Sequence, residues 1–556
     1  MKLAFRPKLL DCLHNYNREQ LGQDIGAGIT VGVLALPLAM AFAIASGCPP
    51  TAGIWTAIIA GFIISALGGS KVQIGGPTGA FIPIIYGIVA TYGFVNLLGA
   101  TILAGIFLLA MGLFRLGQLI RFIPISVVIG FTNGIAVVIF LAQIKDFFGL
   151  KIDNLPAEFF GRIKALAAAA PTVDLPTLAL ASASLLFLLF YNRLAQRIAL
   201  LRRAPGPLAV LLVGTLVAFL FDLPVETIGS RFHGIPQELP DFALPPLSIE
   251  LLGKLISPAF AIALLGAIES LLSARVADGA IDDRHDPNQE LVAQGLANIV
   301  APLFGGFAAT GAIARTSTNI RAGGRTPIAG MVHALTLLTI VLVAAPLAAY
   351  VPLATLSAIV MVVALNMGEW HAFKELKRYS NNYRIILLTT FIFTVIFDLT
   401  VAVEFGMVLA CLFFILRISD LTRIERVPLE ALTTPAEFTQ GGVERVAVWQ
   451  LYGSLFFGAV HKLEELLEPA AGHPEVLILE MHNLIQLDTT GLEGLQTLLH
   501  KLQKRNCHLI LCSLNTQPAS LLRRSGFLAA MEADNVCPTL HDAMRRAEEW
   551  LASPAT

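Results

Sequence analysis

Two charged residues sit where an apolar chain should not hold them. Arg315 lies in GAIARTSTNIRAGGRTPIAG (311–330), and Glu269 lies in AIALLGAIESLLSARVADG (261–279). An arginine at the centre of a bilayer costs roughly 2.5–3.5 kcal/mol on translocon scales, so it needs water, an anion or a carboxylate beside it. Arg315 therefore reads as an anion ligand, or as half of a structural ion pair. Arg321 and Arg325 fall at the far end of the same segment and read as membrane-surface anchors. Glu269 has Ser273 one helical turn away on the same face. A lone carboxyl in low dielectric favours its neutral form unless a cation lies near. That makes Glu269 a candidate proton carrier, with a counter-charge to Arg315, a sodium ligand or a purely structural group as alternatives. Asp278, Asp282, Asp283 and Asp286 lie just beyond and read as solvated loop charges.

The elements that must position these groups are membrane helices. The 556 residues are 56% hydrophobic and 14% charged, with a mean hydropathy of +0.73, against about 25% charged in soluble domains. Between Ala41 and Ala110 the only charged side chain is Lys71. Fourteen apolar segments follow one another, near 23–45, 51–69, 77–93, 95–114, 123–143, 176–191, 206–221, 256–275, 290–304, 312–321, 326–348, 353–366, 384–398 and 400–417. With both termini cytosolic, the loops carrying Lys71, Arg115, Arg121, Arg193, Arg197, Arg202, Arg203, Lys374, Lys377 and Arg378 fall inside, as the positive-inside rule requires. Residues 1–22 carry Lys2, Arg6, Lys8 and Arg18 but no cleavable leader pattern. Net charge, at −1, says nothing about partners.

Two segments are interrupted by glycine and proline. The third opens KVQIGGPTGAFIPI and the tenth GGFAATGAIARTSTNI. They stand seven segments apart, the arrangement expected of discontinuous helices in two inverted repeats. Each should be extended up to its glycines and helical afterwards, so that both helix N-termini face one central point. Each N-terminus offers unpaired N–H groups and about half a positive charge, and together they favour an anion. Pro37, with Phe42 a little over a turn later, predicts a kink in the first segment.

The character changes after Arg417. Residues 419–435 read as a polar linker, and from 436 strands alternate with amphipathic helices: VLILEM and HLILCSL as strands, TGLEGLQTLLHKLQKR as a helix, HKLEELLE as another. That is a small cytosolic α/β domain over 436–556. In LDTTGLEGL, Thr490 and Glu493 match a capping box. Cys12, Cys48, Cys411, Cys507, Cys512 and Cys537 show no framework spacing and read as reduced thiols. No nucleophile, base and orienting residue occur at recognisable spacing, which argues against an enzyme.

Taken in order, DIGAGITVGVLALPLAMAFAIASGCPPTAGIW, GGSKVQIGGPTGAF, LLGAIESLLSA and ELVAQGLANIVAPLFGGFAATGAIARTSTNIRAGGRTPIAG resemble the SulP family of sulfate-permease-type anion transporters, and the C-terminal segment resembles its STAS domain. The resemblance implies an all-α polytopic membrane domain of fourteen spans over 23–418, in a seven-plus-seven inverted repeat with discontinuous third and tenth spans. Core and gate subdomains move against each other, usually in a homodimer of the bacterial inner membrane. It implies an anion site of Phe42, Gly76, Thr78, Gly79, Ala314, Arg315 and Thr316, with Glu269 and Ser273 as the ion-coupling pair. Thr489 matches a phosphorylated serine of STAS relatives, although helix capping is the simpler role for this stretch. Leu38 stands where many sulfate-type members carry glutamine. With Glu269 it makes the sequence look like bacterial members that carry dicarboxylates with protons. The expected partners are a small anion, a coupling proton rather than sodium, membrane lipid and a cytosolic partner of the STAS domain, with no cofactor and no nucleic acid. Sulfate or bicarbonate transport, a passive channel and a STAS-linked sensor are the alternatives.

Overall fold

The computed structural model describes residues 6–14, 16–118, 123–152, 155–197, 206–234, 237–245, 249–397, 399–428, 445–467, 474–531 and 533–552. Arg121, Arg202, Arg203 and the expected opening of the soluble domain at 436–444 lie outside them. The chain forms two compact units, Met1–Met407 and Val408–Thr556.

In the first unit a helix coincides with each apolar segment of the sequence. They are α1 (Arg18–Ala45), α2 (Pro50–Leu67), α3 (Ile82–Tyr92), α4 (Phe94–Leu113), α5 (Ile125–Phe148), α6 (Leu175–Arg197), α7 (Gly206–Leu220), α8 (Ile249–Ile281), α9 (Pro287–Val300), α10 (Ile313–Arg321), α11 (Pro327–Ala348), α12 (Leu353–Met367), α13 (Asn381–Ile396) and α14 (Leu399–Leu421), the last running on into the second unit. Six of them are long and apolar enough to cross a bilayer by length and composition alone. The segments Phe159–Thr172 and Leu175–Tyr191 pass that test only as a pair bent by 116°. Fourteen crossings thus remain an expectation. α1 runs without interruption past Pro37.

Local sequence explains where key helices begin. Asn17 and Gln20 close a capping box on α1. Asp286 caps α9 ahead of Pro287, and Thr326 caps α11 ahead of Pro327. The fully buried Asp24 accepts hydrogen bonds from Arg325 N at 2.7 Å and Thr326 N at 3.1 Å, which ties α1 to the α10–α11 turn.

The helices pack into two groups: α1, α2, α4, α8, α9, α10 and α11 in one, and α5, α6, α7, α12 and α13 in the other, with α3 touching both and α1 also packing against α7 and α12. In the first group α4 and α9 meet backbone to backbone. A Cβ at Gly105 would lie 2.7 Å from Gly295 O, and one at Gly295 would lie 2.5 Å from Leu109 N. Only glycine allows so close a crossing.

The second unit carries a sheet of β3 (Arg423–Val427), β4 (Val446–Leu455), β5 (Val476–Glu480), β6 (Leu484–Leu487), β7 (His508–Cys512) and β8 (Val536–Cys537), in the order β3-β4-β5-β7-β8 with β6 beside β4. β3 pairs antiparallel with β4, so the sheet begins inside the stretch expected as a linker. Its alternating residues explain why: Ile424 joins the core while its neighbours stay outside. Leu477 and Leu479 pack on one face with Leu495 and Leu498 of α15 (Thr489–Lys504), and Val476 and Ile478 pack on the other with Ala543 and Ala547 of α17 (Leu540–Ala552), beyond α16 (Thr516–Arg524). HKLEELLE is a 3-10 helix, Val460–Leu467. The capping box expected of Thr490 and Glu493 does not form. Asp488 caps α15 instead, accepting from Gly491 N at 2.7 Å, because the helix starts at Thr489 and leaves Thr490 inside its first turn. Lys462 Nζ donates to Ser419 O at 2.7 Å and Thr422 O at 2.6 Å, closing the end of α14. All six cysteines are free.

Candidate functional site

The glycine interruptions form a miniature sheet. β1 (Gly75–Gly76) and β2 (Thr310–Gly311) pair antiparallel, Gly75 opposite Gly311 and Gly76 opposite Thr310. The chain then turns helical on both sides: a 3-10 turn at Gly79–Phe81 leads into α3, and α10 starts at Ile313. Thr78 and Ala312 precede these helices in extended conformation, and neither start has a side-chain cap. Their first-turn N–H groups are therefore left for a ligand or water.

The junction is cross-braced between the two segments. Ala312 N donates to Ile74 O at 2.8 Å, and Ile74 N donates to Thr316 Oγ1 at 3.1 Å. Ser273 and Thr316 hydroxyls lie 3.4 Å apart, and Asn319 Nδ2 donates to Val72 O at 2.9 Å. Thr316 and Ser273 thus lie beside the junction, with Thr316 joined to the third segment through Ile74. Thr78 Oγ1 donates to Glu269 Oε2 at 2.8 Å, so the candidate coupling carboxyl touches the start of the third segment.

Arg315 is 1% exposed. Its Nη2 donates to Pro77 O, and its Nη1 makes no hydrogen bond. The guanidinium lies behind Gly76: a Cβ there would sit 2.3 Å from Nη1 and 3.5 Å from Ala57 Cα. Among the described residues Arg315 and Glu269 form no ion pair, and the guanidinium stands on the α2 side of the junction. The opposite side is the seam between the two helix groups. A Cβ at Gly79 would lie 3.6 Å from Ile139 Cδ1 of α5, 3.7 Å from Phe42 Cε1 of α1 and 3.8 Å from Val363 Cγ1 of α12. Ala314 is exposed. From Ala80 a cavity of about 240 Å³ extends along α3 to Arg162 and Glu158. Tyr86 hydroxyl donates to Leu155 O beside it.

A junction of two uncapped helix starts with a buried guanidinium and a hydroxyl-bonded carboxyl beside it suits a small anion. The Sulfate permease family pattern matches residues 21–390. The chain belongs to the sulfate permease family. A STAS domain pattern matches residues 440–543, so this SulP chain is a multi-pass membrane anion transporter with a C-terminal STAS domain, and not an enzyme. It is 43% identical over 513 residues to "Putative sulfate transporter YvdB" of Bacillus subtilis, covering 92% of this chain and 95% of that protein. It is 28% identical over 540 residues to the bicarbonate transporter BicA of Picosynechococcus sp., covering 94% of each. The solved transmembrane domain of a cyanobacterial BicA superposes with a TM-score of 0.64 at 32% identity, over 70% of this chain and 98% of that one. The inward-facing structure of murine Slc26a9 superposes with a TM-score of 0.84 at 19% identity, over 98% and 94%, which shows the shared fold.

Arg321 and Arg325 stand apart from the junction, at the end of α10 and in the turn before α11. Three fully buried polar side chains that the sequence reading passed over, Thr56, Glu290 and Asn298, hold the approaches to the junction. Glu290 had a visible signal: it is a charge at the first position of the apolar segment 290–304. Thr56 and Asn298 had none.

Proposed function

We propose that this SulP chain is a secondary active carrier of a small oxyanion of the sulfate or bicarbonate type, coupled to a proton or sodium ion through Glu269. The observation that carries the reading is the β1–β2 ladder, which fixes two uncapped helix N-termini beside Thr78 and Glu269. The anion docks on the first-turn N–H groups of Gly79 and Ala314, with Phe42 as an apolar wall and Arg315 supplying charge from behind. Thr78 hydroxyl links the anion's seat to the carboxyl that takes the coupling ion. The first helix group then slides past the second along the Ile139–Phe42–Val363 seam. A homodimer with cytosolic termini suits this scheme.

Dicarboxylate transport rested on Leu38 and Glu269, and the compared proteins give it no support: their names speak of sulfate and bicarbonate. Purified chain in proteoliposomes, given labelled sulfate, bicarbonate or succinate under separate proton and sodium gradients, decides the matter. Concentrative uptake of sulfate or bicarbonate that Glu269→Gln uncouples supports the proposal. Uptake of succinate alone returns the dicarboxylate reading, and flux without accumulation makes the protein a channel.

A further inference from the structure

The approaches to the anion junction are extended and rich in glycine, and β1–β2 gives them a ladder only two residues long on each side. Every other backbone N–H and C=O in these stretches needs a partner from elsewhere. Side chains of α9 and α2 supply several of them. Glu290 of α9 is fully buried. Its Oε2 accepts from Gly69 N at 2.9 Å. Its Oε1 accepts from Gln73 Nε2 at 2.9 Å, Gln294 Nε2 at 2.9 Å and Ser270 Oγ at 3.4 Å. No cation pairs with it among the described residues. Gln73 also donates to Ser270 Oγ at 3.0 Å, and its Nε2 lies 2.0 Å from where a Cβ at Gly311 would stand. One carboxylate thus joins the approach to α3, the residue that follows Glu269, and the outer face of β2.

The other approach is held in a matching way. Asn298, two turns along α9, accepts from Ala309 N at 2.8 Å and donates to Ala309 O at 2.9 Å. Thr56 of α2 accepts from Phe307 N at 2.7 Å. α2 and α9 reach across to fix the approaches to the broken segments.

The geometry points to Glu290 as a positioning residue of the anion site: through Gly69 and Gln73 it fixes the extended approach that aims the N-terminus of the third segment, as Asn298 does for the tenth. This rests on the reading that the anion binds at the junction. Affinity then depends on a carboxylate that never meets the anion, because two helix ends act on one ligand only while both are aimed at it.

The test uses the full chain, reconstituted, with Glu290→Gln, Asn298→Asp, Gln73→Glu and the Glu290→Gln/Gln73→Glu double variant. An amide at 290 turns one acceptor into a donor facing Gly69 N–H or the glutamine amides. The expected result for Glu290→Gln is a KM for sulfate or bicarbonate raised about tenfold or more, with Vmax per folded molecule changed less than about threefold. The swap returns a carboxylate to the node and should bring KM most of the way back, whereas Gln73→Glu alone, with two facing carboxylates, should be the worst. Hydrogen exchange, which needs no substrate, should rise over 69–78 in Glu290→Gln and over 307–312 in Asn298→Asp. An unchanged KM with only yield or melting temperature lowered overturns the proposal, as does unchanged exchange over 69–78 or failure of the swap to restore KM. If the wild type carries neither anion, the reading of the site falls, and the exchange pattern still decides whether Glu290 positions the junction.

Discussion

Gly76 and Gly79 are three residues apart, and the same alanine substitution should have opposite consequences at the two. Gly76 has a φ of +146°, a region that L side chains rarely adopt, and forcing alanine into it costs about 1–3 kcal/mol. The new methyl would also lie 2.3 Å from Arg315 Nη1, an overpacking worth about 1–3 kcal/mol. The sum, roughly 2–6 kcal/mol, is a large share of a typical folding free energy of about 5–15 kcal/mol. At Gly79 the methyl would meet its nearest neighbour at 3.6 Å, an ordinary contact, with no unusual φ. Thermal unfolding followed by size-exclusion in detergent should show Gly76→Ala melting several degrees lower and Gly79→Ala near the wild type. Gly79→Ala should instead weaken transport, because its methyl enters the seam. The steric part at Gly76 can be isolated: with Arg315→Ala also present, a double-mutant cycle should return about 1–3 kcal/mol of favourable coupling, leaving the backbone strain. Equal melting temperatures for Gly76→Ala and wild type, or a coupling near zero, would refute the placement of the guanidinium behind Gly76.

Thr78→Val keeps the shape of the side chain and removes the bond to Glu269; stimulation of uptake by an imposed ion gradient should fall about tenfold, since a hydrogen bond to a charged group is worth about 1.5–3 kcal/mol. Asp488→Ala should destabilise the first turn of α15 by about 1 kcal/mol, read as faster hydrogen exchange over 489–493, and Thr490→Ala should leave exchange there unchanged. Burial pushes the thiols of Cys507 and Cys512 up to about 11 and about 12. At pH 8 almost no thiolate is present at either site, and a maleimide should label neither in the folded chain while labelling both after denaturation.

The junction was legible because runs such as IGGPTG and FGGFAATG have few uses inside a membrane segment, and their spacing by seven segments fixed which two belong together. The partners of the junction were not legible. Gln73 and Glu290 are separated by 217 positions, and nothing local to either predicts the other. Arg315 was recognisable as a buried cation, but that its guanidinium lies behind Gly76 depends on how α2 packs against β1. At the start of α15 the run Asp488-Thr489-Thr490 offers adjacent capping residues, and choosing among them needs the end of β6, which the pattern leaves soft. β3 was hidden by its polar neighbours: five residues with one buried side chain look like linker until β4 is beside them.

The β1–β2 ladder also bears on direction. Because Gly75–Gly76 and Thr310–Gly311 are hydrogen-bonded to each other and their approaches are braced by α2 and α9, the two helix starts proposed to seat the anion are held as one piece. The seat then presents the same groups whichever side of the membrane it opens to. For the carrier proposed above, the sign of net flux then follows from the gradients of anion and coupling ion.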